Sequence, residues 1–263
     1  MNKTIREKIK HISKYNELLK LLILRDVKIK YRRSYLGYLW SVLNPLMLMA
    51  IMIIVFSNLF RFEIENYPLY LLSAQILFSF MVESTNLSVG AILANAPLIK
   101  KANVPKFIFI VSKVGGALVN FLFFLIALVI VMFFTDAKFS LTLLFIPIVI
   151  LELFLFSLGV SFFLSALSVF FRDIQYLWGV FVSMWMYFTP IFYPVSIIPE
   201  SYQGLYKSLN PMYWYIEQFR QIVLFSELPE VSSVLLGFII AIVVLILGIC
   251  YFTKKEDEFI LYI

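Results

Sequence analysis

One cysteine, Cys250, and one histidine, His11, are all that this 263-residue chain offers of the usual soft metal ligands. A disulfide within the chain and a Cys/His metal site are therefore excluded, and histidine-based acid–base chemistry has no constellation to work with. Charge is also scarce, at 14% of residues, while 62% are hydrophobic and mean hydropathy is +0.93. That leaves too little polar surface to cover a water-soluble globule. There is no Gly-x-x-x-x-Gly-Lys loop, so the chain cannot bind ATP by that route. Low-complexity linkers and internal repeats are missing too.

What is present is a series of apolar runs. Residues 34–60 carry no charge, 66–99 carry only Glu83, 114–135 none, 139–171 only Glu152, 174–199 none and 231–253 none. A hydrocarbon core about 30 Å thick needs roughly 20 apolar residues of helix. These runs are too long for the ~10-residue alternating strands of a membrane barrel. The sequence thus predicts an all-α integral membrane protein, one transmembrane domain over 1–263, with spans at 34–60, 66–94, 106–135, 139–171, 174–198 and 231–253.

Charge then sets the orientation. Arg61, Lys138, Lys207 and Arg220 fall on one side of the six spans, and the remaining eighteen of the 22 basic residues fall on the other. Both termini are expected in the cytosol. The net charge of +6 reads as topology and attraction to anionic lipid, which makes nucleic-acid binding unnecessary. The charged leader is too long for a cleavable signal, so the first span is expected to act as an uncleaved anchor.

Within the leader, 1–33, the residues Tyr15, Leu18, Leu19, Leu22 and Ile29 share one side of a helix, with Asp26 and Arg33 close to that stripe. A basic amphipathic segment running into a span fits a helix lying in the cytosolic interface; a plain topology signal is the simpler alternative. The stretch 95–105 is short, basic and bracketed by Pro97 and Pro105, which would isolate one short helix between two long ones. Such a helix would suit a partner's groove, or it is an ordinary inside loop. Further on, Trp178, Phe181, Trp185, Phe188 and Phe192 recur at spacings of 3 and 4 and are expected on one helical face. Aromatic faces stack on sugar rings, but the same stripe serves helix packing. Residues 189–230 contain Pro190, Pro194, Pro199 and Pro211 yet stay apolar, as short helices re-entering the outer leaflet would. Glu83 and Glu152 lie within apolar runs, where a carboxylate must be paired, protonated, near an end or facing water. Neither has a cationic partner identifiable from the sequence.

Several short motifs occur in a fixed order: Arg25-Asp26-Val27-Lys28-Ile29-Lys30-Tyr31-Arg32-Arg33-Ser34-Tyr35-Leu36-Gly37 leading to Trp40 and Pro45; Asn95 through Pro105; Phe171-Arg172-Asp173; Thr189-Pro190-Ile191-Phe192-Tyr193-Pro194; and Asn210-Pro211 followed by Arg220. Together they resemble the membrane permeases of type-2 ABC exporters, in the branch that moves lipid-linked polysaccharides such as O antigens and teichoic acids. The resemblance implies a bacterial cytoplasmic-membrane subunit with six spans, an interfacial helix, a coupling helix in the first inside loop and re-entrant helices before the last span. It implies a homodimer driven by two copies of a cytosolic ABC ATPase, which binds ATP and Mg; this chain holds no cofactor and is not itself an enzyme. By the same resemblance, Asn95, Pro97, Lys100, Lys101, Pro105, Arg172 and Asp173 would face the ATPase. Lys28, Lys30, Arg32 and Arg33 would meet the lipid diphosphate, and the aromatic stripe would line the glycan path. Two other classes stay open: a permease of this fold exporting a drug or small lipid, and a proton-coupled carrier using Glu83 or Glu152. A membrane enzyme acting on lipids lacks the necessary cluster of His, Asp or Cys.

Overall fold

The computed structural model describes residues 15–32, 34–59, 64, 66–101 and 104–263, and among these every regular element is helical. In chain order they are α1 (Asn16–Tyr31), α2 (Leu39–Leu59), α3 (Tyr67–Val89), α4 (Ala91–Ala94), α5 (Ala96–Lys101), α6 (Phe107–Phe134), α7 (Ile146–Phe170), α8 (Ile174–Phe188), α9 (Glu200–Leu209), α10 (Pro211–Val223) and α11 (Val231–Lys255). Single 3-10 turns precede α7 (Leu141–Phe145) and close the chain (Glu258–Leu261).

Proline and polar caps set many of the boundaries. Asn66 takes the left-handed conformation before α3 and accepts a hydrogen bond from the Leu69 N–H, with Pro68 in the first turn. Pro147 and Pro211 open α7 and α10, where a missing N–H costs nothing. Three helical segments are long and apolar enough to cross a bilayer: Phe107–Phe134, Leu141–Phe170 and Val231–Lys255. The other three runs form α2, α3 and α8. Most of α3 is buried among its neighbours. α8 has 15 residues, about 22 Å of helix.

α7 and α11 make the most extensive pairing. Gly159 and Gly248 meet at this crossing, where a Cβ on Gly159 would lie 2.6 Å from the Leu245 backbone. Only a residue without a side chain allows that approach, the usual device for packing helices in lipid. Outward faces of α2, α8 and α11 are apolar, with Ile54, Val180 and Leu247 each more than 60% exposed. In a bilayer such faces have hydrocarbon as solvent.

Two apolar clusters organise the interior. The larger runs through α3, α6, α7 and α10. The smaller gathers Leu22 of α1, Ala91 and Ile92 of α4, Ile99 of α5, Ile108 and Phe109 of α6, Phe162, Ala166 and Val169 of α7, Phe252 of α11 and Phe259 of the tail. It therefore lies at the end of the bundle shared by α1 and the C terminus.

Candidate functional site

At this α1 end, helix α1 packs along α6. Leu22 is buried and Tyr15, Leu18 and Leu19 pack on the small cluster, as the apolar stripe predicts, but Ile29 is 59% exposed. The stripe ends early because α1 closes on charge instead. Asp26 accepts a bond of 2.8 Å from Lys113 Nζ of α6, with both side chains 16% exposed, and Arg25 bonds its other oxygen at 2.9 Å. Lys30 Nζ reaches Glu83 of α3 at 2.7 Å. Asn120 of α6 donates to the same Glu83 oxygen and accepts from the Ser41 hydroxyl of α2 at 3.3 Å.

These groups tie four helices around an apolar-walled cavity of about 330 Å³, lined by Asp26, Ile29, Lys30, Glu83, Lys113 and Asn120 among others. Asp26 and Lys113, opposite charges largely shielded from water, make a directional joint. Glu83 thus has the cationic partner that the sequence did not disclose. Its polar neighbours divide: Ser84, Thr85 and Ser88 are buried and bond backwards to carbonyls of α3, while Asn86 is exposed. Of the four basic residues expected at a lipid diphosphate, Lys30 is committed to Glu83, Lys28 and Arg32 are exposed, and Arg33 lies outside the described residues. The sequence signal for the joint was Asp26, a carboxylate breaking an apolar stripe; its counterpart Lys113 sits far away along the chain.

The segment 95–105 contains one short helix, α5, whose first turn holds Pro97. Asn95 is buried before it; its amide donates to the Ala91 carbonyl at 2.8 Å, and its own carbonyl accepts from Leu98 and Ile99. Ile99 faces the small cluster, whereas Pro97, Lys100 and Lys101 are exposed. Arg172 and Asp173, in the exposed turn between α7 and α8, follow Phe170, which packs on the same cluster. The residues expected at a partner therefore gather at one end. Beside them Lys106 Nζ bonds the Glu256 carbonyl at 2.7 Å, and burial raises the Glu256 carboxyl above the ordinary value while Lys106 opposes it.

The aromatic stripe divides. α8 ends at Phe188, so Phe192 does not share its face; it is 5% exposed in the following turn. The helix stops there because Thr189 turns its hydroxyl back onto the Trp185 carbonyl and Pro190 follows. Trp178 donates to Thr85 at 3.0 Å and Trp185 to Asn210 at 2.9 Å, with Phe78 and Phe156 edge-on to Trp185. Both indoles are half-buried, with their N–H groups tied to neighbouring segments. Phe181 and Phe188, 43% and 52% exposed, stay on the open face with Met184 and Tyr187.

The end opposite α1 is fastened differently. Arg220 of α10, 2% exposed, lays its guanidinium 3.4 Å from the centre of the Tyr70 ring and donates to the Tyr70 and Ile191 carbonyls at 3.2 and 3.3 Å. Tyr67 and Tyr70 hydroxyls donate to the Phe192 and Tyr193 carbonyls, and Tyr206 to Phe188. Asn210 bonds Thr189 as well as Trp185. Thr189-Pro190 and Asn210-Pro211 are thereby two halves of one joint. An arginine counted from sequence as a topological charge is a buried fastener. Glu152 of α7 is fully buried against Gln218 and Gly237, and neither carboxylate oxygen has a hydrogen-bond partner among the described residues.

Three helices of spanning length and apolar outward faces mark this chain as a membrane protein. The chain belongs to the ABC-2 type transporter family, whose model matches residues 17–224. It is 31% identical over 255 residues to the O-antigen export system permease protein RfbA of Klebsiella pneumoniae, covering 94% of this chain and 96% of that one. To the protein of the same name from Myxococcus xanthus it is 29% identical, covering 95% and 97%. It is 23% identical over 240 residues to the polysialic acid transport protein KpsM of Escherichia coli, covering 90% and 92%.

Proposed function

We propose that this chain is the membrane-spanning subunit of an ATP-driven exporter that carries a lipid-linked polysaccharide across the bacterial cytoplasmic membrane. The observation that carries this reading is similarity along 94% of the chain to an O-antigen export permease. In this reading α2, α3, α6, α7, α8 and α11 are the six spans, α9 and α10 re-enter the outer leaflet, and both termini are cytosolic. Two copies form the path, and two copies of a separate ATPase, which holds ATP and Mg, supply the work.

The geometry supports a definite division of labour. Exposed Lys100 and Lys101 on α5, with Asn95, Pro97 and Pro105 shaping that segment and Arg172 and Asp173 beside it, form the ATPase-facing surface. Closure of the ATPase dimer presses on this surface, and the joints through Asp26, Lys113, Lys30 and Glu83 pass the displacement from α1 into α3 and α6. Coupling needs elements that differ between states and contacts that favour one of them. Exposed Lys28 and Arg32 offer charge for a diphosphate at the cytosolic interface, next in sequence to Arg33. The glycan slides along Phe181 and Phe188, whose rings suit sugar faces and hold them loosely; Trp178 and Trp185 support that face from behind.

Purified with its cognate ATPase in vesicles, the chain should export glycan only when ATP is supplied. Lys100→Glu with Lys101→Glu should weaken the complex or leave hydrolysis without transport. Uphill transport by this chain alone would end the reading. So would loss of transport in Glu83→Gln or Glu152→Gln with the ATPase dispensable, which favours a proton-coupled carrier.

A further inference from the structure

The last residues, Glu256-Asp257-Glu258-Phe259-Ile260-Leu261-Tyr262-Ile263, follow two lysines in the segment 254–263, expected from the sequence to be a cytosolic tail; they also lie beyond the stretch matched by the family model, which ends at residue 224. They are packed against the helices. Phe259 is fully buried, with its ring 5.4 Å from Phe252 of α11 and 5.9 Å from Phe170 at the end of α7. Tyr262 stands edge-on to Phe170 at 4.8 Å, and Lys255 lies 5.4 Å from the same ring while pairing with Glu258 at 2.8 Å. Lys106, at the start of α6, bonds the Glu256 carbonyl. The tail thus clasps the ends of α6, α7 and α11.

The same cluster takes in Ile99 of α5. This helix has six residues, and Ile99 is its one buried side chain. A helix so short has no stability of its own, so its position is set by what Ile99 packs upon. Ile99 belongs to the same apolar cluster as Phe259. We infer that the C-terminal tail is a positioning element for the coupling segment: Phe259 closes the apolar cluster in which Ile99 is anchored, so that force applied to α5 moves α6 and α7 instead of tilting α5 alone. This rests on the reading of α5 as the ATPase-facing helix. Its physical basis is that close-packed contacts transmit displacement and loose ones absorb it.

The test uses the complete transporter, this chain with its cognate ATPase in vesicles, and the purified chain in detergent. In the chain alone, Phe259→Ala should speed amide hydrogen exchange at residues 96–101 by about ten-fold while α6 and α7 keep their protection. In the complex, it should raise the ATP hydrolysed per glycan exported by about five-fold with unchanged co-purification of the ATPase. Phe259→Leu should restore most of both. Should Phe259→Ala fail to accumulate, Lys106→Met removes the clasp at Glu256 and should move both readouts the same way, about two-fold. Unchanged exchange at 96–101, or reduced assembly with an unchanged ATP-to-glycan ratio, overturns the inference. If Lys100→Glu with Lys101→Glu uncouples the complex and Phe259→Ala does not, the tail has no such role and the proposed function stands. If α5 loosens in Phe259→Ala while neither variant changes coupling, the assignment of α5 as the ATPase-facing helix has failed.

Discussion

The two ends of the bundle are joined by different chemistry. At the α1 end, side chains of opposite charge meet across helices: Asp26 with Lys113 and Lys30 with Glu83. At the opposite end, hydroxyls, indoles and one guanidinium from neighbouring segments address backbone carbonyls and amides: Tyr67, Tyr70 and Tyr206 on the turn after α8, Trp185 on Asn210, Arg220 on Tyr70 and Ile191. Carbonyls are fixed by the fold, so the second kind of joint sets one geometry. Charge pairs between side chains can exchange partners, and Lys30 and Arg25 remain more than 40% exposed. Under the proposed function, the end facing the ATPase has exchangeable joints and the end with the re-entrant helices has fixed ones, since unsatisfied carbonyls at membrane depth would be costly.

Arg220→Ala should break the fixed end hardest. It strands the Tyr70 and Ile191 carbonyls and empties the space over the Tyr70 ring, at an expected cost of about 3–4 kcal/mol. Thermal unfolding in detergent reads this as a large fall in midpoint, and Arg220→Lys should recover only part of it, having no planar fork to serve two carbonyls. An unchanged midpoint would erase the contrast between the ends.

A smaller effect is expected at the exchangeable end. In a double-mutant cycle of Asp26→Asn and Lys113→Gln, the coupling energy should be about 1–3 kcal/mol, since both side chains are largely shielded from water. The same cycle on Lys30 and Glu83 should give less, because Lys30 is 44% exposed and solvent screens it. Zero coupling at Asp26 and Lys113 would mean that α1 is held by its apolar face alone.

Smallest of all should be Glu152→Gln. Glu152 has no cation beside it, so the amide leaves no charge unpaired and can donate to Gln218, whose side-chain oxygen also lacks a partner. Stability should change by less than about 1 kcal/mol, and ATP-dependent export should persist. A fall as large as that of Asp26→Asn would show that Glu152 belongs with the paired carboxylates.

Much of the architecture was legible in the sequence. Runs without charge located the helices, the proline bracket located α5, and Pro190 and Pro211 marked the broken segment. Periodicity misled in two places. Phe192 keeps the spacing of the aromatic stripe but lies beyond the end of α8, because spacing carries no record of where Thr189 and Pro190 stop the helix. Ile29 keeps the stripe of α1 but faces outward, because α1 leaves its apolar contact where Asp26 turns to Lys113. Spacing was equally silent on the hydrogen-bond partners of the Trp178 and Trp185 indoles. Nothing local reveals that Thr85 and Asn210 accept their protons.

Hydrophobicity and charge are additive along a chain, so the sequence alone determined that this protein is helical and a membrane protein, with its basic residues concentrated in the segments between apolar runs. Pairing is not additive. Which carboxylate meets which cation, whether an arginine is a solvated topological mark or a buried fastener, and whether a charged tail is free or seated in the core depend on residues brought together from 53 to 150 positions apart. Only tertiary packing, through the low polarity it creates around those groups, decided them.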